Sequence, residues 1–194
     1  MNHCPGIVLF VLLILSSTAM AQDEAIPDVL KSGISPDLDY DYRGEADTFE
    51  ALIDSVSEEY GTFAPELIEP LLQLSHTYVQ MGDVEQAHEA LNRAQHITHR
   101  NGGVYSPTQR DILQRKTRLS LQSDDPLEAN KQQEFLFFVN THNFEDLELL
   151  PAYLDIAKWY IETGQYYRSR KILQEAITLI EESVGENDLR MLEP

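Results

Sequence analysis

The sequence predicts an all-α chain of stacked helical hairpins, and three observations carry that prediction. Beyond residue 60, apolar residues recur at helical spacing almost without interruption. No stretch alternates apolar and polar residues with period two between turn residues, so strands are not expected; "EFLFFVNT" (134–141) continues a helical run. The pattern around Gly82 returns around Gly164, as expected of an internal repeat.

The chain opens with "IVLFVLLIL" (7–15), followed by small and polar residues and Ala19-Met20-Ala21. This pattern predicts a secretory signal peptide over 1–21, cleaved after Ala21. The run is too short to span a bilayer, which takes about 20 apolar residues. Export would place the chain in the periplasm or outside the cell, with no membrane span after cleavage. The single cysteine, Cys4, precedes the apolar run, so the mature chain is expected to have no disulfide, thiol chemistry or cysteine–zinc site.

The net charge is −19, and residues 22–60 hold 12 acidic and 2 basic residues, −10 of that total. Phosphate binding needs clustered Lys and Arg, so nucleic acid is not an expected partner. Residues 22–46 carry Pro27, Pro36 and many acids but few aliphatic residues, which predicts a disordered acidic leader. The folded part is then 47–194.

A first helix is expected from Asp47, a good N-cap, with Phe49, Leu52, Ile53 and Val56 on one apolar face. Next come 66–81, apolar at Leu67, Leu71, Leu74, Tyr78 and Met81, and 84–98, apolar at Val84, Ala87, Leu91, Ala94 and Ile97. Asp83 is placed to cap the second of these. The pairs 108–122 with 126–140, and 150–163 with 166–183, complete three hairpins behind a leading half-unit; Pro126 suits a first helical turn. The units run over about 68–101, 110–143 and 150–183.

Superposing Gly82 on Gly164 brings Leu71 onto Tyr153, Leu74 onto Ile156, Tyr78 onto Tyr160, Ala87 onto Ser169, Leu91 onto Leu173 and Ala94 onto Ala176. The chemistry follows from packing two antiparallel helices. Each bulky residue, fully buried, is worth about 1.5–3 kcal/mol. Gly82 and Gly164 can end a helix in the left-handed conformation without a Cβ penalty. Ala87 and Ala94 lie two turns apart and are small, so a partner helix can approach to about 8–10 Å between axes. On the same frame the middle unit carries Lys116, Ser120 and Asp124 where the first has Leu74, Tyr78 and Gly82, and keeps Ala129.

These residues resemble the tetratricopeptide repeat. The first copy supplies Leu71, Leu74, Ser75, Tyr78, Gly82, Ala87, Leu91 and Ala94; the other good copy supplies Tyr153, Ile156, Ala157, Tyr160, Gly164, Ser169, Leu173 and Ala176. The proline that often closes the family motif is replaced by His99 and Glu181. The extended joints are similar to those of long-period repeats in exported bacterial proteins. The resemblance implies a right-handed superhelical stack, an α-solenoid. It also implies a concave groove lined by the first helix of each hairpin, and a role in protein–protein interaction.

Matching groove positions are Leu72, His76, Val79 and Gln80, then Gln114, Arg118, Leu121 and Gln122, then Leu154, Lys158, Ile161 and Glu162. His76, Gln80, Arg118, Gln122, Lys158 and Glu162 are the candidate partner-binding residues. His76, Arg118 and Lys158 share one frame position and would set a line of donors along an acidic protein, favouring acidic or carboxyl-terminal segments. The competing reading is that long basic side chains merely solvate a helix surface.

Enzymatic motifs are missing: there is no G-x-S-x-G, phosphate-binding glycine loop or S-x-x-K. His88, His96 and His99 do not make H-E-x-x-H, and the loop at Asp37, Asp39 and Asp41 has Tyr42 and Thr48 where an EF-hand needs Gly and Glu. No catalytic residue, metal site or cofactor is therefore expected. The reading is a non-enzymatic envelope scaffold. Its alternatives are a homo-oligomeric assembly module using an uncapped C-terminal end, and an accessory subunit of an envelope enzyme complex.

Overall fold

The structure is a computed structural model that describes residues 40–184. The expected signal peptide (1–21), residues 22–39 of the expected leader and residues 185–194 lie outside the described residues. Among the described residues seven α-helices follow one another: α1 (Tyr42–Tyr60), α2 (Ile68–Met81), α3 (Val84–Gly102), α4 (Gln109–Gln122), α5 (Pro126–His142), α6 (Leu150–Glu162) and α7 (Tyr166–Val184). Short 3-10 turns, Pro65–Leu67 and Asp146–Leu149, precede α2 and α6. Among the described residues there is no strand, and no helix is long and apolar enough to cross a membrane.

The three hairpins α2–α3, α4–α5 and α6–α7 reverse by one device. Gly82, Asp124 and Gly164 all take positive φ, at 76°, 58° and 74°. Each is followed by an amide that reaches back to the preceding helix: Asp83 N–H to Tyr78 O (2.9 Å), Asp125 N–H to Ser120 O (2.8 Å) and Gln165 N–H to Tyr160 O (2.7 Å). These are the six-to-one bonds of a Schellman cap. The middle unit therefore keeps the frame, because aspartate is one of the few residues that tolerates the left-handed region. Asp83 and Asp125 then cap α3 and α5, accepting from Gln86 N–H (3.3 Å) and Glu128 N–H (3.0 Å).

The leading helix differs from expectation in two ways. It begins at Tyr42 rather than at Asp47, because the Asp41 carboxylate accepts from Gly44 N–H at 3.0 Å and caps it earlier. A Cβ at Gly44 would stand 2.5 Å from Asp41 Oδ2, so a side chain there requires that carboxylate to turn. Residues 42–46 thus belong to the helix, not to the leader. Secondly, Leu52 leaves the apolar face and is 44 % exposed, while Ala46 and Ile53 are buried and Phe49 and Val56 pack on them. Ala46, Phe49, Ile53 and Val56 carry the spacing of Ala87, Ala90, Ala94 and Ile97 on α3. So α1 packs on α2 as the second helix of a hairpin would.

Joints are also repeated. Asn101 and Asn143, 42 residues apart, end α3 and α5. Asn101 donates to Phe63 O and Ile97 O, both at 2.9 Å, and Asn143 donates to Tyr105 O at 2.7 Å and Val139 O at 2.6 Å. One amide thus ties each joint to the end of its own hairpin. The joint aromatics are held from the same helices: the Arg100 guanidinium lies 4.2 Å from the Phe63 ring centre, and His142 stacks on Tyr105 at 4.3 Å.

The largest apolar cluster runs from Ala46 through hairpin α2–α3 to Ile112 and Leu119 of α4. Two smaller clusters follow, one around Leu121, Ala129, Ile156, Trp159 and Tyr160, the other around Leu113, Leu136 and Val139. Of the motif residues, Leu74, Tyr78, Ala87, Leu91, Ala94, Ile156, Tyr160 and Ala176 are buried; Leu173 is only half-buried.

Candidate functional site

The first helix of each hairpin presents one face away from its partner, and on α2 and α4 these faces meet. Ser75, His76, Val79 and Gln80 come from α2; Arg115, Arg118, Leu119 and Gln122 come from α4; Leu91 of α3 closes the floor. The cleft offers water about 40 Å³ of space, room for a few molecules and too little to enclose a ligand. It is the floor of a surface groove.

Four of the six candidate residues, His76, Gln80, Arg118 and Gln122, are brought together here. Gln80 is 7 % exposed, yet neither its amide nitrogen nor its oxygen has a hydrogen-bond partner. Arg118 is exposed and forms no ion pair among the described residues. Arg115 is committed to the protein: its Nε donates to Asp111 Oδ2 at 3.1 Å and its Nη1 to Leu72 O at 3.3 Å. Burial, reinforced by the Arg115 guanidinium, pushes the His76 pKa below the ordinary histidine value, which keeps the ring neutral at physiological pH.

The expected line of three donors is therefore reduced. Lys158 is 75 % exposed and sits 3.7 Å from Glu162, its own neighbour one turn on; neither lines this cleft. That pairing follows from their i,i+4 spacing. Among the other groove positions, Leu72 and Leu121 are buried in the core, whereas Leu154 and Ile161 are exposed.

A second cavity, about 470 Å³, lies between α4 and α6. It is lined by Arg110 and Gln114 of α4, Asn140 of α5, Phe144, and Glu148 and Asp155 near and on α6. Only Gln114 of these stands out in the sequence. The signal for Arg110 is its place four residues before Gln114 on one face of α4. Asn140 gives no sequence signal, because α5 interrupts the motif. Among the described residues no group of three histidine, cysteine or acidic side chains could hold a metal.

The tetratricopeptide repeat family model matches residues 68–97 and 150–183, which are the first and third hairpins. Among solved structures, the chain is similar to a crystal structure, from Podosopora anserina, of the nearly identical TPR-like repeats of a protein described as a kinesin light chain. The identity is 14 %, the TM-score 0.54, and the match covers 78 % of this chain and 72 % of that one. The fold is a tetratricopeptide-like α-solenoid. No curated protein matches the sequence closely. Tetratricopeptide repeats mediate protein–protein interaction, and scaffolds of this type are typically non-enzymatic; successive repeats build an extended concave binding surface.

Proposed function

We propose that this chain is a non-enzymatic scaffold of the bacterial cell envelope, exported by its N-terminal apolar run, that holds an extended segment of a partner protein in its concave groove. One observation carries the reading. Gln80 buries both ends of its amide unpaired in a cleft whose opposite wall carries Arg118, a cation with no ion pair among the described residues. A peptide main chain, which offers a donor and an acceptor together, can pair both ends of that amide in place of the water the cleft admits.

The experiment is photo-cross-linking from benzoylphenylalanine placed at Val79, in envelope extract. Arg118→Glu is expected to lose the cross-linked partner and Lys158→Glu to keep it, with helicity unchanged in both. Mass spectrometry of the recovered chain is expected to find its first residue at Gln22. Equal cross-linking by Arg118→Glu and wild type rejects the groove; an intact Met1 start in a cytosolic fraction rejects export.

A further inference from the structure

The two cavities beside α4 share one helix face. Arg110, Gln114, Arg118 and Gln122 follow one another at intervals of four residues, a continuous polar stripe. Arg118 and Gln122 line the cleft toward α2, and Arg110 and Gln114 line the cavity toward α6. Six buried side-chain polar atoms among the described residues lack a hydrogen-bond partner. Four of them line these two cavities: both amide atoms of Gln80 at one end of the stripe, Arg110 Nε and Asn140 Oδ1 at the other. The remaining two are the hydroxyls of Ser120 and Ser169, at packing positions of the repeat. Unsatisfied groups gathered at both ends of one exposed stripe mark where something else supplies the bonds.

The two ends also differ in charge. The α2 end is lined by His76, Arg115 and Arg118 and by no acid. The α6 end sets Glu148 and Asp155, both exposed, beside the single Arg110, whose guanidinium lies 5.2 Å from the Phe144 ring centre.

We infer that the cleft and the cavity form one track across α4 for an extended polypeptide segment of opposed charge. The segment places a carboxylate against Arg118 and a lysine or arginine against Glu148 and Asp155. Its main-chain amides meet Gln80, Gln114 and Asn140. The recognition rule is an acid and a base within one short extended segment. It sharpens the groove reading, on which it rests, because a uniformly acidic segment would set like charges against Glu148 and Asp155.

The test pans the full chain against a phage-displayed library of random linear dodecapeptides. The expected result is enrichment of peptides with an acid and a base at one fixed spacing. Glu148→Lys with Asp155→Lys, both on exposed side chains, is expected to weaken the selected peptides at least tenfold. Panned afresh, that variant should select an acid in place of the base. Enrichment of purely acidic or uncharged peptides that still depends on Arg118 overturns the track and leaves the groove standing. Enrichment indifferent to Arg118→Glu overturns both, and a library that yields no enriched peptide overturns the track.

Discussion

Hairpins α2–α3 and α4–α5 take the same frame with opposite interiors. In the first, Leu74, Tyr78, Ala87, Leu91 and Ala94 join a single apolar cluster that also covers α1. In the second, Lys116, Thr117, Ser120 and Gln132 are buried, and the apolar residues are split: Ile112 and Leu119 join the first hairpin's cluster and the others divide between two small ones. A polar network fills the junction: Lys116 Nζ donates to Gln95 Oε1 at 2.8 Å, Gln95 Nε2 donates to Gln109 Oε1 at 3.2 Å, and His99 Nε2 meets the same oxygen at 2.7 Å. The contrast separates two jobs that the repeat motif combines. The left-handed reversal and the small residue at Ala129 suffice to hold the hairpin in register. The large apolar residues set how firmly it is held. The hairpin released from that second demand is the one whose first helix carries the polar stripe.

The largest effect should come from reversing the character of the well-packed interior. Ala87 is fully buried in the continuous cluster, so Ala87→Arg overpacks it and buries a charge with no partner. Overpacking alone costs about 1–3 kcal/mol, and the charge adds more. Ala129 occupies the same frame position and is equally buried, but the cluster it joins is the smaller one with Leu121, Ile156, Trp159 and Tyr160. Thermal melting followed by circular dichroism should show Ala87→Arg losing its cooperative transition. Ala129→Arg should keep one at a lower midpoint. Equal losses would mean that the two interiors do not differ in the way described.

A smaller effect, of opposite sign, is expected at Lys116, which holds the position of Leu74 and Ile156. Burial lowers its pKa below the ordinary lysine value, with Glu128 opposing. The unfolded chain therefore holds the proton more tightly than the folded one, and stability rises with pH between the folded and unfolded pKa values. Below the lowered pKa the full penalty applies. Lys116→Leu should stabilise the chain by about 1 kcal/mol, which raises the melting midpoint by about 2–4 °C for a chain of this size. The gain should shrink as pH climbs above the lowered pKa. A destabilised Lys116→Leu would show that the Lys116–Gln95–Gln109 network contributes more than the burial of the ammonium costs.

Residue by residue, what could be read from the sequence follows the same division. Gly82, Gly164, the two motif tyrosines and the alanines could be read because reversal and close approach admit few residue types. Asp124 could be placed only by counting from its neighbours, yet its backbone confirms the count at φ 58°. The start of α1 was harder to read, because Asp41 and Asp47 are both competent caps, and it is the Asp41 carboxylate that accepts a helix amide, from Gly44. At the site, Arg118, His76, Gln80 and Gln122 could be found from the frame alone. The neutrality of His76 could not, since it depends on burial and on Arg115 from the next hairpin. Nor could the second cavity, which needs Asn140 from α5 and Glu148 from a joint to meet α4.

The smallest effect tests whether the two hairpins communicate through that histidine. His76 is faced by Arg115 and Arg118 of α4 and by Glu45 of α1, and its depressed pKa is set first by burial and then by Arg115. With the folded pKa below the unfolded value of about 6.5, stability is full above that pH and is lost as the pH falls through the folded value. His88 is shifted the same way, by burial and then by Lys116, but it lies on α3, away from the cleft. His76→Asn and His88→Asn should therefore each reduce the drop in melting midpoint between about pH 7.5 and pH 5.5, by less than the gain from Lys116→Leu. Only His76→Asn should also alter the pH dependence of peptide capture, because charging His76 adds a third cation to the Arg115–Arg118 end of the cleft and strengthens its hold on a carboxylate. If both variants change stability alike and neither changes capture, the histidine responds to packing alone, and the two hairpins share a fold boundary but not a binding surface.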